Sequence, residues 1–161
     1  MVERKIGQGI PKCPTKLDPF VIEVVNDDER WSSIILKETY CPLKEGRKVL
    51  AVWTKVSDVD WGNEWRSIHV YVNSPGLKKH GFPPRSSECK VLHEVTEAQL
   101  CQKGESRNEA HAIASRFEFH KAREFGILSP YIRAELRSSL SGGLIRDTFQ
   151  KVITYLRVRQ E

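Results

Sequence analysis

Four cysteines (Cys13, Cys41, Cys89 and Cys101) and five histidines are the side chains of this 161-residue chain best suited to metal or nucleophilic chemistry. His80, Cys89, His93 and Cys101 can be drawn as four zinc ligands. A zinc site wants ligands paired a few residues apart, so that two chain elbows close a tetrahedron. Only Cys89 and His93 are that close. They fall in a segment read here as a strand, where a spacing of four puts both on one face. The reading taken is two unrelated strand residues and no metal. For a cysteine nucleophile, no flanking protease signature or nucleophile elbow is present, and a reduced Cys is usually a small buried hydrophobe.

Other catalytic patterns are weaker. Asp58 and Asp60 flank a turn, and Asp27, Asp28 and Glu29 cluster in another. Asp favours turns because it bonds its own backbone, and adjacency does not give glycosidase geometry. Gly7-Gln8-Gly9 lacks the strand-to-helix setting of a dinucleotide loop. No catalytic residue and no cofactor are expected.

The cationic features remain. The loop Leu77 to Ser87 combines Lys78, Lys79 and Arg85 with Phe82. Cations attract phosphates, and an exposed ring can stack on a base or enter a headgroup region. Arg133, Arg137, Arg146, Lys151, Arg157 and Arg159 make the last third basic as well. These ten residues are the candidate polyanion-binding set. A formal net charge of +5 and a pI of about 9.1 agree with a phosphate-bearing partner, whether nucleic acid or anionic lipid.

The elements that must carry these residues can be read from periodicity. The length fits one domain with a sizeable core. Met1 to Pro19 is polar and rich in Gly and Pro, an arm preceding a single domain over 20–161. Phe20–Val25, Trp31–Tyr40, Val49–Val56, Trp65–Val72 and Cys89–Val95 read as five strands, rich in β-branched and aromatic residues or alternating in polarity. After Glu97 the period becomes helical. Ser106 and Glu109 form a capping box. The helix they open carries Ala110, Ile113, Ala114 and Phe117, and Gly126 closes it. Ser129-Pro130 opens a second helix with Ile132, Leu136 and Leu140. A third carries Ile145, Phe149, Val152, Ile153 and Leu156. The expected fold is α+β: a mostly antiparallel sheet of about five strands in the first two thirds, with three helices packed on one face.

The cysteines lack the spacing of a redox or zinc motif, and Met1 to Lys16 has no apolar run. An intracellular protein (host cytoplasm or nucleus) with peripheral membrane contact is expected, and a place in the virion if it is viral.

Three stretches resemble matrix proteins of nonsegmented negative-strand RNA viruses, the compact bornavirus type most closely. They are Pro14-Thr15 leading into Phe20-Val21-Ile22-Glu23-Val24; Ser67-Ile68-His69-Val70-Tyr71-Val72; and His111-Ala112-Ile113 through Phe117 to Phe125-Gly126-Ile127, with Ile132 to Ser139 behind. The budding motif Pro-Pro-x-Tyr of many rhabdovirus matrix proteins is missing, since Pro83-Pro84-Arg85 runs into Ser86-Ser87. The resemblance implies a non-enzymatic structural protein that self-associates, coats the inner face of an anionic membrane and binds the ribonucleoprotein. Two alternatives are an RNA-binding accessory or silencing-suppressor protein, and a small enzyme or ligand-binding domain with a cavity lined by His69, Tyr71 and His93.

Overall fold

The computed structural model describes residues 19–37, 49–60, 63–141 and 145–160. Among them are three strands and six helices: β1 (Phe20–Val25), α1 (Asp28–Lys37), β2 (Ala51–Asp60), β3 (Asn63–Asn73), α2 (Ser74–Lys79), α3 (Ser86–Gln102), α4 (Arg107–Glu124), α5 (Leu128–Ser141) and α6 (Ile145–Gln160). The fold is α+β, but it corrects the expectation of five antiparallel strands and three helices. The sheet has the order β1-β3-β2 and is mixed. β3 pairs in parallel with β1, Phe20 opposite Ile68, and antiparallel with β2, Ala51 opposite Val72. The arm before Pro19 lies outside the described residues.

Two of the expected strands are helices, for different reasons. In α1, Asp27 Oδ1 accepts the Arg30 N–H at 2.6 Å, and Asp28 and Glu29 complement the helix dipole in the first turn. Trp31, Ile34 and Ile35 then fall on one buried side. The run Ile34-Ile35-Leu36 imitates a strand only when read without its cap. In α3 the buried positions are Ser86, Cys89, His93, Glu97 and Ala98. Their spacing is helical, yet most are polar, so hydrophobic periodicity cannot reveal the helix.

Both faces of the sheet are covered near its centre. α3 lays Val95 and Ala98 on Ile68 and Val70, with Phe20 and Trp53 beside them. α1 covers the other face, packing Trp31, Ile34 and Ile35 around Val25 and Tyr71. A larger core joins the end of β3 to the helices through Val72, Leu77, Phe82, Cys89, Phe119, Tyr131, Ile132 and Val158. Burying each larger apolar side chain there contributes roughly 1.5–3 kcal/mol.

The Ser106 half of the predicted capping box and the Gly126 cap of α4 are present. Ser106 Oγ accepts the Glu109 N–H at 3.3 Å and donates to the Glu109 carboxylate at 2.6 Å. Gly126 takes φ +70°, and Ile127 N–H returns to the Ala122 carbonyl at 2.9 Å. The buried stripes differ from the expected ones. α4 buries Ala110, Ala114, Phe119 and Ala122 and leaves Ile113 and Phe117 exposed; α6 buries Thr154 and Val158 and leaves Ile153 and Leu156 exposed. α5 begins at Leu128, so Ser129-Pro130 lies within its first turn.

Candidate functional site

Side chains from α3, α4, α5 and α6 converge in a buried ionic cluster. Lys90, His93 and Glu97 follow one another at helical spacing along α3. Lys90 Nζ lies 2.8 Å from Glu118 Oε1 on α4 and also contacts Glu135 Oε1 on α5. Lys151 of α6 closes the far side, 2.8 Å from Glu135 Oε2, and donates to Ser139 Oγ at 3.0 Å. The Tyr131 hydroxyl donates to Glu118. His93 Nδ1 lies 2.7 Å from Glu118 Oε2.

At the other end of the cluster, His93 Nε2 stands 3.3 Å from Glu97 Oε2 and 3.1 Å from His111 Nδ1. His111 Nδ1 is 2.8 Å from the same Glu97 oxygen. The second Glu97 oxygen accepts the Trp53 indole N–H at 3.3 Å, with Arg107 Nε at 3.5 Å. His93, Glu97 and His111 are the one group of potential metal-binding side chains among the described residues.

Burial opposes the charges on Lys90, His93, Glu97 and Glu118, and their partners outweigh it. Loss of hydration alone would lower the His93 imidazole pKa, but the Glu118 carboxylate holds it well above the ordinary value. Burial would raise Glu118, yet Lys90 and His93 hold it well below the carboxylate range. Glu97 is likewise held low, because hydrogen bonds from His111 and His93 exceed the effect of burial. With His93 protonated, three cations (Lys90, His93, Lys151) face three carboxylates (Glu97, Glu118, Glu135). Such a cluster is costly to desolvate and tolerable only when every charge is matched.

The ten basic-surface candidates separate into groups. Lys78 and Lys79 are exposed at the end of α2. Arg133, Arg137, Arg157 and Arg159 are exposed on α5 and α6. The Arg137 guanidinium reaches within 3.7 Å of where a Cβ on Gly81 would stand, so the α2–α3 connection and α5 share one surface. Phe82 is buried, its ring edge-on to Tyr131 at 5.3 Å, and it has no open face for a base. Arg85 is exposed but bidentate to Glu88 at 2.9 and 3.0 Å, with its guanidinium 3.4 Å over the Phe125 ring. Lys151 is engaged inside the ionic cluster. The Arg146 side chain lies outside the described residues.

Other expected groupings do not form. Cys89 packs into the helical core with Phe119 and Tyr131, and the one potential metal-binding group among the described residues takes only His93 from the ligand set drawn from sequence. Burial pushes its thiol up to about 12. His69 and Tyr71 hydrogen-bond each other at 3.0 Å on the α1 side of the sheet, opposite the face on which α3 carries His93, so these three line no common cavity. His111, Glu97 and Glu118 were missed because they become neighbours only once residues 89–97 are helical. The available signal was Lys90, His93 and Glu97 on one helical stripe, with Glu118 on the alanine face of α4.

No helix among the described residues is long and apolar enough to cross a membrane. No protein-family model matches the chain, and comparison with curated proteins and with solved structures gives no significant match.

Proposed function

We propose that the protein is a non-enzymatic assembly protein of the matrix type, which self-associates and holds phosphate-bearing partners on a basic surface. The partners are an anionic membrane surface and RNA or ribonucleoprotein. The observation that carries this reading is the meeting of the Lys78–Gly81 segment with Arg137 on α5. Two cationic segments far apart in sequence thereby act on one ligand. Each Lys or Arg near an anionic surface contributes about 1 kcal/mol, so a few such residues per copy bind weakly and an oligomer binds tightly by avidity.

Self-association is supported by exposed apolar side chains. Ile113 and Phe117 lie one turn apart on α4, and Ile153 and Leu156 lie on α6, which packs against α4. Neighbouring exposed apolar groups, such as Ile113 with Phe117, mark interaction surfaces more often than single ones do.

The test is size exclusion coupled to light scattering, repeated with phosphatidylserine vesicles and with single-stranded RNA at low and high salt. A discrete homo-oligomer that co-migrates with vesicles in a salt-sensitive way is expected. The triple variant K78E/K79E/R137E should lose that binding while keeping its circular dichroism. A monomer that binds RNA but ignores vesicles would replace this reading with an RNA-binding accessory or silencing-suppressor protein. Indifference to both ligands would sink it.

A further inference from the structure

We propose that His93, Glu97 and His111 form a binding site for one divalent transition-metal ion of the zinc class, clamping α3 to α4. The donor atoms are His93 Nε2, Glu97 Oε2 and His111 Nδ1, separated pairwise by 3.3, 3.1 and 2.8 Å. Metal bonds of about 2.1 Å place donors about 3.4 Å apart in a tetrahedron and about 3.0 Å apart in an octahedron. The three atoms already stand as one face of such a polyhedron.

A second observation concerns the atoms behind that face. A metal-bound histidine commonly donates its other ring N–H to a carboxylate, which fixes the tautomer and aims the lone pair. Glu118 Oε2 is the carboxylate oxygen beside His93 Nδ1, at an ion-pair distance of 2.7 Å without the alignment of a hydrogen bond, and both side chains are more than nine-tenths buried. Glu118 is in turn held by Lys90 and Tyr131. Glu97 is fixed through its other oxygen by Trp53, which leaves Oε2 to face the histidines. Glu118 beside Nδ1 leaves Nε2 as the His93 nitrogen that faces His111 Nδ1 and Glu97 Oε2, and an ion bound there takes the place of the proton that Nε2 carries in the metal-free cluster.

Residue type selects the ion. Two imidazole nitrogens and one carboxylate oxygen suit zinc and its first-row neighbours; calcium and magnesium prefer all-oxygen ligands. Exposure gives the open side. The His93 and Glu97 side chains are 6% and 5% exposed, whereas His111 is 45% exposed. The ion therefore enters past His111, and water completes its coordination from that side.

The test uses the full chain, treated with chelator and kept reduced with a phosphine that does not bind the metal. Zn2+ is titrated by calorimetry, and Co2+ by visible absorption. One ion per chain is expected, with a Co2+ spectrum lacking thiolate charge-transfer bands and a rise in Tm on Zn2+ addition. His111→Ala removes a half-exposed ligand, so the fold should persist while affinity falls at least tenfold and the Tm rise disappears. Glu97→Gln gives a second, nearly isosteric loss. Absence of stoichiometric binding, binding unchanged in His111→Ala, or Mg2+ binding as tightly as Zn2+ would each overturn the proposal.

Discussion

His93 Nδ1 stands 2.7 Å from Glu118 Oε2, joining the second turn of α3 to the middle of α4 inside the protein. The same carboxylate accepts from Lys90 and Tyr131, so one side chain faces two cations and satisfies a phenol. Removing it leaves more than a missing hydrogen bond.

Glu118→Ala is therefore expected to destabilise the protein by about 3–5 kcal/mol, the usual consequence of leaving buried charges uncompensated. Urea denaturation followed by circular dichroism measures it. A loss below about 1 kcal/mol would mean that water reaches the cluster and solvates Lys90 and His93.

Phe82 belongs to the core beneath Tyr131 and is not a stacking ring for a ligand. Phe82→Ala should lower stability by about 3–5 kcal/mol, whereas Phe82→Leu should cost much less. Phe82→Leu should bind RNA and anionic vesicles like the parent. A selective loss of binding at full stability would return the ring to the binding surface.

The exposed apolar side chains on α4 and α6 give a separate prediction. Phe117→Glu combined with Leu156→Glu should shift the oligomer toward monomer in light scattering and leave the helical circular dichroism unchanged. An unaltered oligomer would move the self-association surface elsewhere, with the exposed face of β1 the next candidate.

Cys89 is buried in apolar surroundings and its thiol is pushed up to about 12. Because the thiolate is the reactive form, Cys89 should resist iodoacetamide at pH 8 in the native protein and react once urea unfolds it. Peptide mapping by mass spectrometry distinguishes it from the half-buried Cys101. Rapid native labelling of Cys89 would show that the helical core opens readily.

Asp27→Ala removes the side-chain acceptor at the start of α1 and should cost about 1 kcal/mol. A denaturant midpoint within error of the parent would mean that packing of Trp31, Ile34 and Ile35 alone holds the helix.

The legible parts of the fold were those whose burial is apolar or whose ends carry side-chain caps. β1 shows a β-branched run although of its Val and Ile residues only Val25 is buried, β3 alternates, and Ser106 with Glu109 marks the start of α4. α3 stayed hidden because its inward stripe is Cys89, His93 and Glu97, which no hydrophobic period detects. The ionic cluster stayed hidden with it, because Glu118 and Glu135 reach it only through tertiary packing. On the basic surface, charge could be read directly but exposure could not: Lys151 and Phe82 turned inward, whereas Lys78, Lys79 and Arg137 stayed out.

The place of β1 in the sheet has a consequence for assembly. β2 and β3 form a tight hairpin, with Asp60 opposite Asn63, whereas β1 must find partners such as Ile68 far along the chain. Closing the longer loop is entropically slower. The hairpin therefore forms first, and one side of β3 stays open until β1 arrives. Pulse-labelling hydrogen exchange should show β3 amides bonded to β2 protected before the β1 amides. During that interval the unpaired side of β3 can accept an extended strand that fits, usually the protein's own tethered β1 and, at high protein concentration, the β1 of a neighbouring copy, so the final strand added can tie two chains together.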